Sequence, residues 1–285
     1  MAMPMASNVA RETLNARLAV TYEWDKLQFI SGLDSQNNEH SKRSGSLMAP
    51  YQDQARSKDM KFRSYGAFGE LSYQLSEQNK WVGGVRVDQV NVKDLRSESL
   101  EKGYNRKLDK TLPSAFIRFE NQHPEHDAKT YIGLGYVERM PDYWELFSTA
   151  HGNAGSVNAF NGIDTEKTLQ LDLGYQHEHG ALSSWVSAYA GLINDYVLMS
   201  YHVHAMPGMM SHGKTAGAKN VDATIAGAEA GVGYQFTDHL QADVSAMYAW
   251  GKNTTDDKPL PQISPLEARI NLRYVQDQYT LGALW

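Results

Sequence analysis

Cysteine is absent from this chain of 285 residues. That excludes disulfides, thiolate zinc sites and cysteine nucleophiles, and leaves 11 methionines and 10 histidines as the only soft metal ligands. No apolar run reaches the roughly 18 residues of a transmembrane helix. Surplus positive charge is also lacking. The 33 Asp and Glu outnumber the 27 Lys and Arg for a net charge of -6, with no basic tail, which argues against nucleic acid as a partner. The start, MAMPMASNVARETLN, has neither the basic opening nor the continuous apolar stretch of a signal peptide. A Gly-rich phosphate loop, a nucleophile elbow and a His-Glu-x-x-His motif are all missing, so nothing supports an enzyme. The hydrophobic fraction of 41% would suit a soluble protein. It would equally suit one membrane class, because only every second residue of a transmembrane β-strand meets lipid.

What is present is a period of two. In LNARLAVTY, the residues Leu14, Ala16, Leu18, Val20 and Tyr22 alternate with Asn15, Arg17 and Thr21. The same pattern recurs in YGAFGELSYQL, LQLDLGYQ, AEAGVGYQF, ARINLRY and YTLGALW. Such runs predict roughly a dozen strands of about ten residues, an all-β chain with the strand length of outer-membrane barrels. The alternative is a soluble β-sandwich, whose strands are shorter.

The connections alternate strictly between short and long. Short turns fall at 24–26, 76–80, 123–127, 177–182, 237–240 and 276–278. Long polar loops fall at 44–58, 98–107, 141–166, 202–219 and 253–264. Short periplasmic turns opposite long extracellular loops give that pattern. Aromatics gather beside the short turns, at Tyr22, Trp24, Tyr73, Trp81, Phe119, Tyr131, Tyr175, Trp185, Tyr234, Phe236, Tyr274 and Tyr279. An aromatic girdle at the inner interface needs that placement. The charges Glu70, Arg86, Asp88, Arg118, Asp172, Glu229, Arg269 and Arg273 then face the lumen.

One long loop contains YHVHAMPGMMSH, residues 201–212. It brings His202, His204 and His212 together with Met206, Met209 and Met210. Thioethers favour Cu(I), and imidazole also suits Cu(II). His202 and His204 project to one side if the backbone is extended there. A loop whose methionines merely pack on other loops is the other reading. A second cluster, Met1, Met3 and Met5, precedes the first strand; Met3 and Met5 are candidate ligands there, against a reading of incidental methionines. The His-rich turns HPEHD and HEHG have metal-like spacing but read as solvated turns.

YVERMPDYWELFS, with SVNAFNGIDTEKTLQLDLGYQ, NVDATIAGAEAGVGYQFTD and LPQISPLEARINLRY, resembles the TonB-dependent outer-membrane copper receptors of the OprC and NosA type. The resemblance covers most of the chain, most strongly from about residue 60 onward. It implies an antiparallel transmembrane β-barrel in the cell outer membrane, here a part with about 12 strands. It also implies copper as the transported ion, outer-membrane lipid and lipopolysaccharide as surroundings, and the TonB complex as energy source. Family members fill a barrel of some 22 strands with an N-terminal plug that carries part of the copper ligands. On this reading residues 1–285 form part of one barrel domain, without the plug, the TonB-contacting segment or the family's C-terminal strands. Two other functions fit a barrel. One is a receptor for siderophores or other metal chelates, contacted by Tyr143, Trp144 and Phe147; the other is a passive porin.

Overall fold

The structure is a computed structural model that describes residues 5–46, 48–147, 160, 162–205 and 212–285; for 5, 98, 147, 200–205 and 212–216 it describes the backbone alone. The described residues form one antiparallel sheet. Its strands are β1 (Met5–Trp24), β2 (Leu27–Ser46), β3 (Ser57–Gln74), β4 (Asn79–Asp94), β5 (Lys107–His123), β6 (Ala128–Arg139), β7 (Glu166–His179), β8 (Leu182–Ala205), β9 (His212–Gln235), β10 (Leu240–Asn253), β11 (Lys258–Pro259), β12 (Glu267–Gln276) and β13 (Tyr279–Leu284). Each pairs with the next, except that β10 continues to β12 and the two-residue β11 sits beside β10. The sheet is open, with β1 and β13 at its two ends, and forms a curved section of barrel wall.

The period of two sets the register. Leu18, Leu33, Ala67, Val87 and Pro113 stand side by side across β1 to β5, and Trp81 pairs with Phe119 two rungs below Val85 and Ala115. This outer face carries exposed large apolar side chains in every long strand, Leu14 at 72% and Leu18 at 69% among them. Such a surface is at home only in lipid. From Leu14 to Trp24 the band is ten residues, about 33 Å along the strand and roughly 25 Å in height once tilted. The inner face carries Glu70, Arg86, Asp88, Arg118, Asp172, Glu229, Arg269 and Arg273, as their register opposite to the apolar residues requires.

Ten of the twelve turn-side aromatics lie on the outer face. Tyr131 and Trp185 do not. Each sits on the inner face, over a glycine of the neighbouring strand, Gly174 and Gly231. Phe68 over Gly32, Phe116 over Gly84 and Tyr189 over Gly227 repeat the arrangement. A Cβ at Gly227 would lie 2.6 Å from the Tyr189 ring, so only glycine leaves that socket open. The outer face also has an upper aromatic row, Tyr65, Tyr136, Tyr248 and Trp250, which marks the extracellular boundary of the apolar band.

Several strands are about twice the expected ten residues; β8 and β9 have 24 each. Above the upper aromatics neither face meets lipid, so the alternation that revealed the strands fades while their pairing continues. The expected loop 202–219 is therefore corrected: 202–205 close β8 and 212–219 open β9. Buried side chains gather above the apolar band. Met60, Val90, Val92, Leu112, Tyr143 and Leu146 form the largest cluster, on the inner face.

Candidate functional site

β6 stops at Arg139 because Pro141 has no N–H for the ladder. The chain then turns inward as a one-turn helix, α2 (Tyr143–Phe147), the second after α1 (Ser97–Glu101) between β4 and β5. Asp142 caps it: the Glu145 N–H donates to Asp142 Oδ1 at 2.9 Å, and the Asp142 N–H donates to Glu145 Oε2 at 2.7 Å. That reciprocal pair is a capping box, with the sequence DYWE as its signature. Arg139 fixes the strap to the wall, donating to Glu145 at 2.9 and 3.1 Å and to Glu166 at 3.0 Å.

Tyr143 plugs the strap into the inner face. Its hydroxyl donates to Asp59 at 2.9 Å, and its ring stacks on His40, with centroids 4.3 Å apart and planes 6° apart. These groups lie above the apolar band. Burial, aided by the positive charge of Arg11, pushes the His40 pKa below its ordinary 6.5 against the pull of Asp142 and Asp59. Burial and the bond to Asp59 push the Tyr143 hydroxyl well up. Arg139 is raised despite its burial, by Glu145 and Glu166. His40 Nδ1 is buried with no hydrogen-bond partner among the described residues.

Between strap and wall lies a cleft of about 780 Å³, lined by Arg11, Asn38, His40, Met140, Asp142 and Trp144 among others. It offers an imidazole, a thioether and a carboxylate to a small solute. Deeper in the lumen a second cavity of about 490 Å³ is bounded by Arg17, Phe68, Arg86 and Phe116. There Arg86 donates to both oxygens of Asp34, at 2.7 and 2.8 Å, and to Asp88 at 2.6 Å, while Arg17 lies 4.5 Å over the Phe68 ring. Among the described residues no group of three or more His, Asp or Glu is arranged to hold a metal ion.

Met206, Met209, Met210 and Met3 lie outside the described residues. His202, His204, His212 and Met5 are described by backbone alone. His202 pairs with Thr215, His204 with Gly213 and His212 with Ala205, so three histidines share the last rungs of one hairpin. Met5 ends β1, seven strands away from β8. The His-rich turns are solvent-facing, with His179 Nδ1 2.6 Å from Asp127 and both side chains exposed. Of the candidate chelate contacts, Tyr143 is buried, Trp144 is exposed, and the Phe147 side chain lies outside the described set. His40, Asp59 and the Arg139 clamp had no signal in the alternation, since NNEHSKR and SKDM read as polar stretches. The DYWE capping box after Pro141 was the one legible sign of the strap.

The family model described as TonB dependent receptor-like, beta-barrel, matches residues 6–285. The chain belongs to the TonB-dependent receptor β-barrel family. Barrels of this family lie in the outer membrane, as the apolar band between two aromatic rows requires. Among solved structures, this receptor segment is 44% identical to the copper transporter OprC, with a TM-score of 0.88 over 99% of this chain and 43% of that one. The ferric-catecholate import receptor Fiu of E. coli K12 is 12% identical with a TM-score of 0.68, covering 98% of this chain and 44% of its own. The FrpB iron transporter of Neisseria meningitidis is 14% identical with a TM-score of 0.64, covering 96% and 42%. The latter two share the fold alone. The chain spans under half the length of each of these structures. No curated protein matches it.

Proposed function

We propose that this segment is barrel wall of an outer-membrane receptor that binds and imports copper, driven through TonB. The observation that carries the reading is 44% identity to a copper transporter along 99% of the chain. In support, the hairpin of the two longest strands among the described residues carries His202, His204 and His212 on its last rungs, with Met206, Met209 and Met210 between them in the sequence. Soft thioethers with imidazoles make a ligand set for copper in either oxidation state. Met5, at the outer end of the edge strand β1, and Met3, two residues before it in the sequence, would add thioethers. The chain's part is capture and passage, with no catalysis.

A chelate receptor is the second reading, and the open cleft beside Trp144 favours it. Against it, Tyr143 is tied down by Asp59 and His40 and is only 5% exposed, which leaves little of its ring for an organic ligand. The test is copper binding by the full-length receptor, measured by calorimetry with Cu(I) and Cu(II), for the native chain and a Met206→Ala/Met209→Ala/Met210→Ala variant. A weaker Cu(I) affinity in the variant is expected. Equal affinity would remove the hairpin from the copper path, and tight binding of a ferric chelate with none of copper would overturn the whole reading.

A further inference from the structure

Above the upper aromatic row, the outer face of β2 to β5 carries cations in direct lateral register. Glu39 pairs with Lys61, Lys61 with Lys93, and Lys93 with Lys107. One rung lower, Arg63 stands between Asn37 and Asn91, with Asp109 beyond. Neighbouring strands are about 4.8 Å apart, so three ammonium groups and a guanidinium crowd a patch roughly 10 Å wide. Like charges directly opposite on adjacent strands destabilise a sheet. The acids nearby reach only Lys61 among them. Glu39 is taken by Lys58 at 2.7 Å and Lys61 at 3.6 Å, and is itself paired with Glu12. Asp109 accepts from Asn91 at 2.7 Å. Arg63, Lys93 and Lys107 have no ion partner among the described residues.

The rest of the wall is different at this height. On β6, β7 and β8 the corresponding row is Glu138, Lys167 and Asn194, with mixed charge. A net charge of -6 makes a local run of cations still less a matter of composition. Height names the partner. Lys61 is four residues beyond Tyr65 on the same face, about 13 Å along the strand and roughly 10 Å above the apolar edge. That is the headgroup layer of the outer leaflet, where long basic side chains reach phosphate.

We infer that Arg63, Lys93 and Lys107, with Lys61 beside them, bind the phosphate groups of the phosphorylated glycolipid of the outer leaflet, lipopolysaccharide. The guanidinium can take a phosphate with two parallel hydrogen bonds, and the lysines supply compact charge around it. The lipid's acyl chains lie along Tyr65, Val87 and Leu33 below.

The experiment uses the full-length receptor in detergent, stripped of lipid and then exposed to phosphorylated or enzymatically dephosphorylated lipopolysaccharide. Bound glycolipid per protein is read by mass spectrometry. Each basic side chain near an anionic surface is worth about a factor of five, so Arg63→Gln/Lys93→Gln/Lys107→Gln should lose at least about tenfold in retention. The charge-keeping Lys93→Arg/Lys107→Arg variant should stay near the native value, and millimolar inorganic phosphate should not displace the lipid. Equal retention by the glutamine variant would overturn the site. Should that variant fail to fold, the native protein decides alone: equal retention of dephosphorylated lipid, or displacement by inorganic phosphate, sinks the assignment.

Discussion

The Tyr143 ring lies flat on the imidazole of His40, 4.3 Å between centroids, while its hydroxyl is held by the buried carboxylate of Asp59. One side chain thus joins a strap from the end of β6 to residues of two strands, His40 of β2 and Asp59 of β3, that precede it by more than eighty positions. The strap covers the inner face just where the lumen opens outward.

His40 makes that cover sensitive to acid. Its folded pKa lies below its ordinary 6.5, chiefly through burial, so the folded state favours the neutral ring. The stability this gives is fully present above about pH 6.5 and is lost as pH falls through the lowered value. Fluorescence of the exposed Trp144, which meets Tyr143 edge-on at 5.0 Å, should report loosening of the strap between pH 7 and 5. The His40→Gln receptor should give a flat profile over that window; a native profile in His40→Gln would assign the change to another group.

Tyr143→Phe keeps the stack and removes the bond to Asp59. It leaves a buried acceptor without its donor, at a cost of about 1–3 kcal/mol. Hydrogen exchange of the amides in 143–147 should quicken accordingly, with the lower β-sheet unchanged.

Gly227→Ala drives a Cβ to 2.6 Å from the Tyr189 ring, and overpacking of this kind costs about 1–3 kcal/mol. Adding Tyr189→Ala should recover most of the loss. Urea titration of receptor refolded into vesicles measures both, and additive losses would refute the pairing.

Leu18→Arg places a charge in the middle of the lipid-facing band, one residue from Arg17, which faces the lumen over Phe68. The expected penalty is about 2–4 kcal/mol in the same assay. Leu18→Phe should be near neutral.

Where one face meets lipid and the other water, the wall was legible from alternation: strand existence, facing, and the order of short and long connections all follow from Leu14 to Tyr22 and runs like it. Strand length was not, because DSQNNEHSKRSGS in upper β2 meets lipid on neither face and carries no period. Tyr131 and Trp185 were assigned to the girdle by their nearness to turns, although their parity already opposed it. Of a candidate site the sequence offered only a composition of Met and His in what read as one long loop. The strap that shapes the cleft depends on contacts between β2, β3 and α2 distant in sequence, and a lone His40 in a polar run announces nothing.

The glycine sockets bear on how such a wall can change over generations. Tyr189 and Gly227, or Trp185 and Gly231, are two halves of one volume, so neither half can drift alone. A bulkier residue at 227 is tolerated only after its neighbour has shrunk, and the intermediate with both small leaves a hollow. Substitutions along this inner surface should therefore arrive as coupled pairs spaced one strand apart, while the lipid-facing side, where apolar residues exchange freely, records single changes.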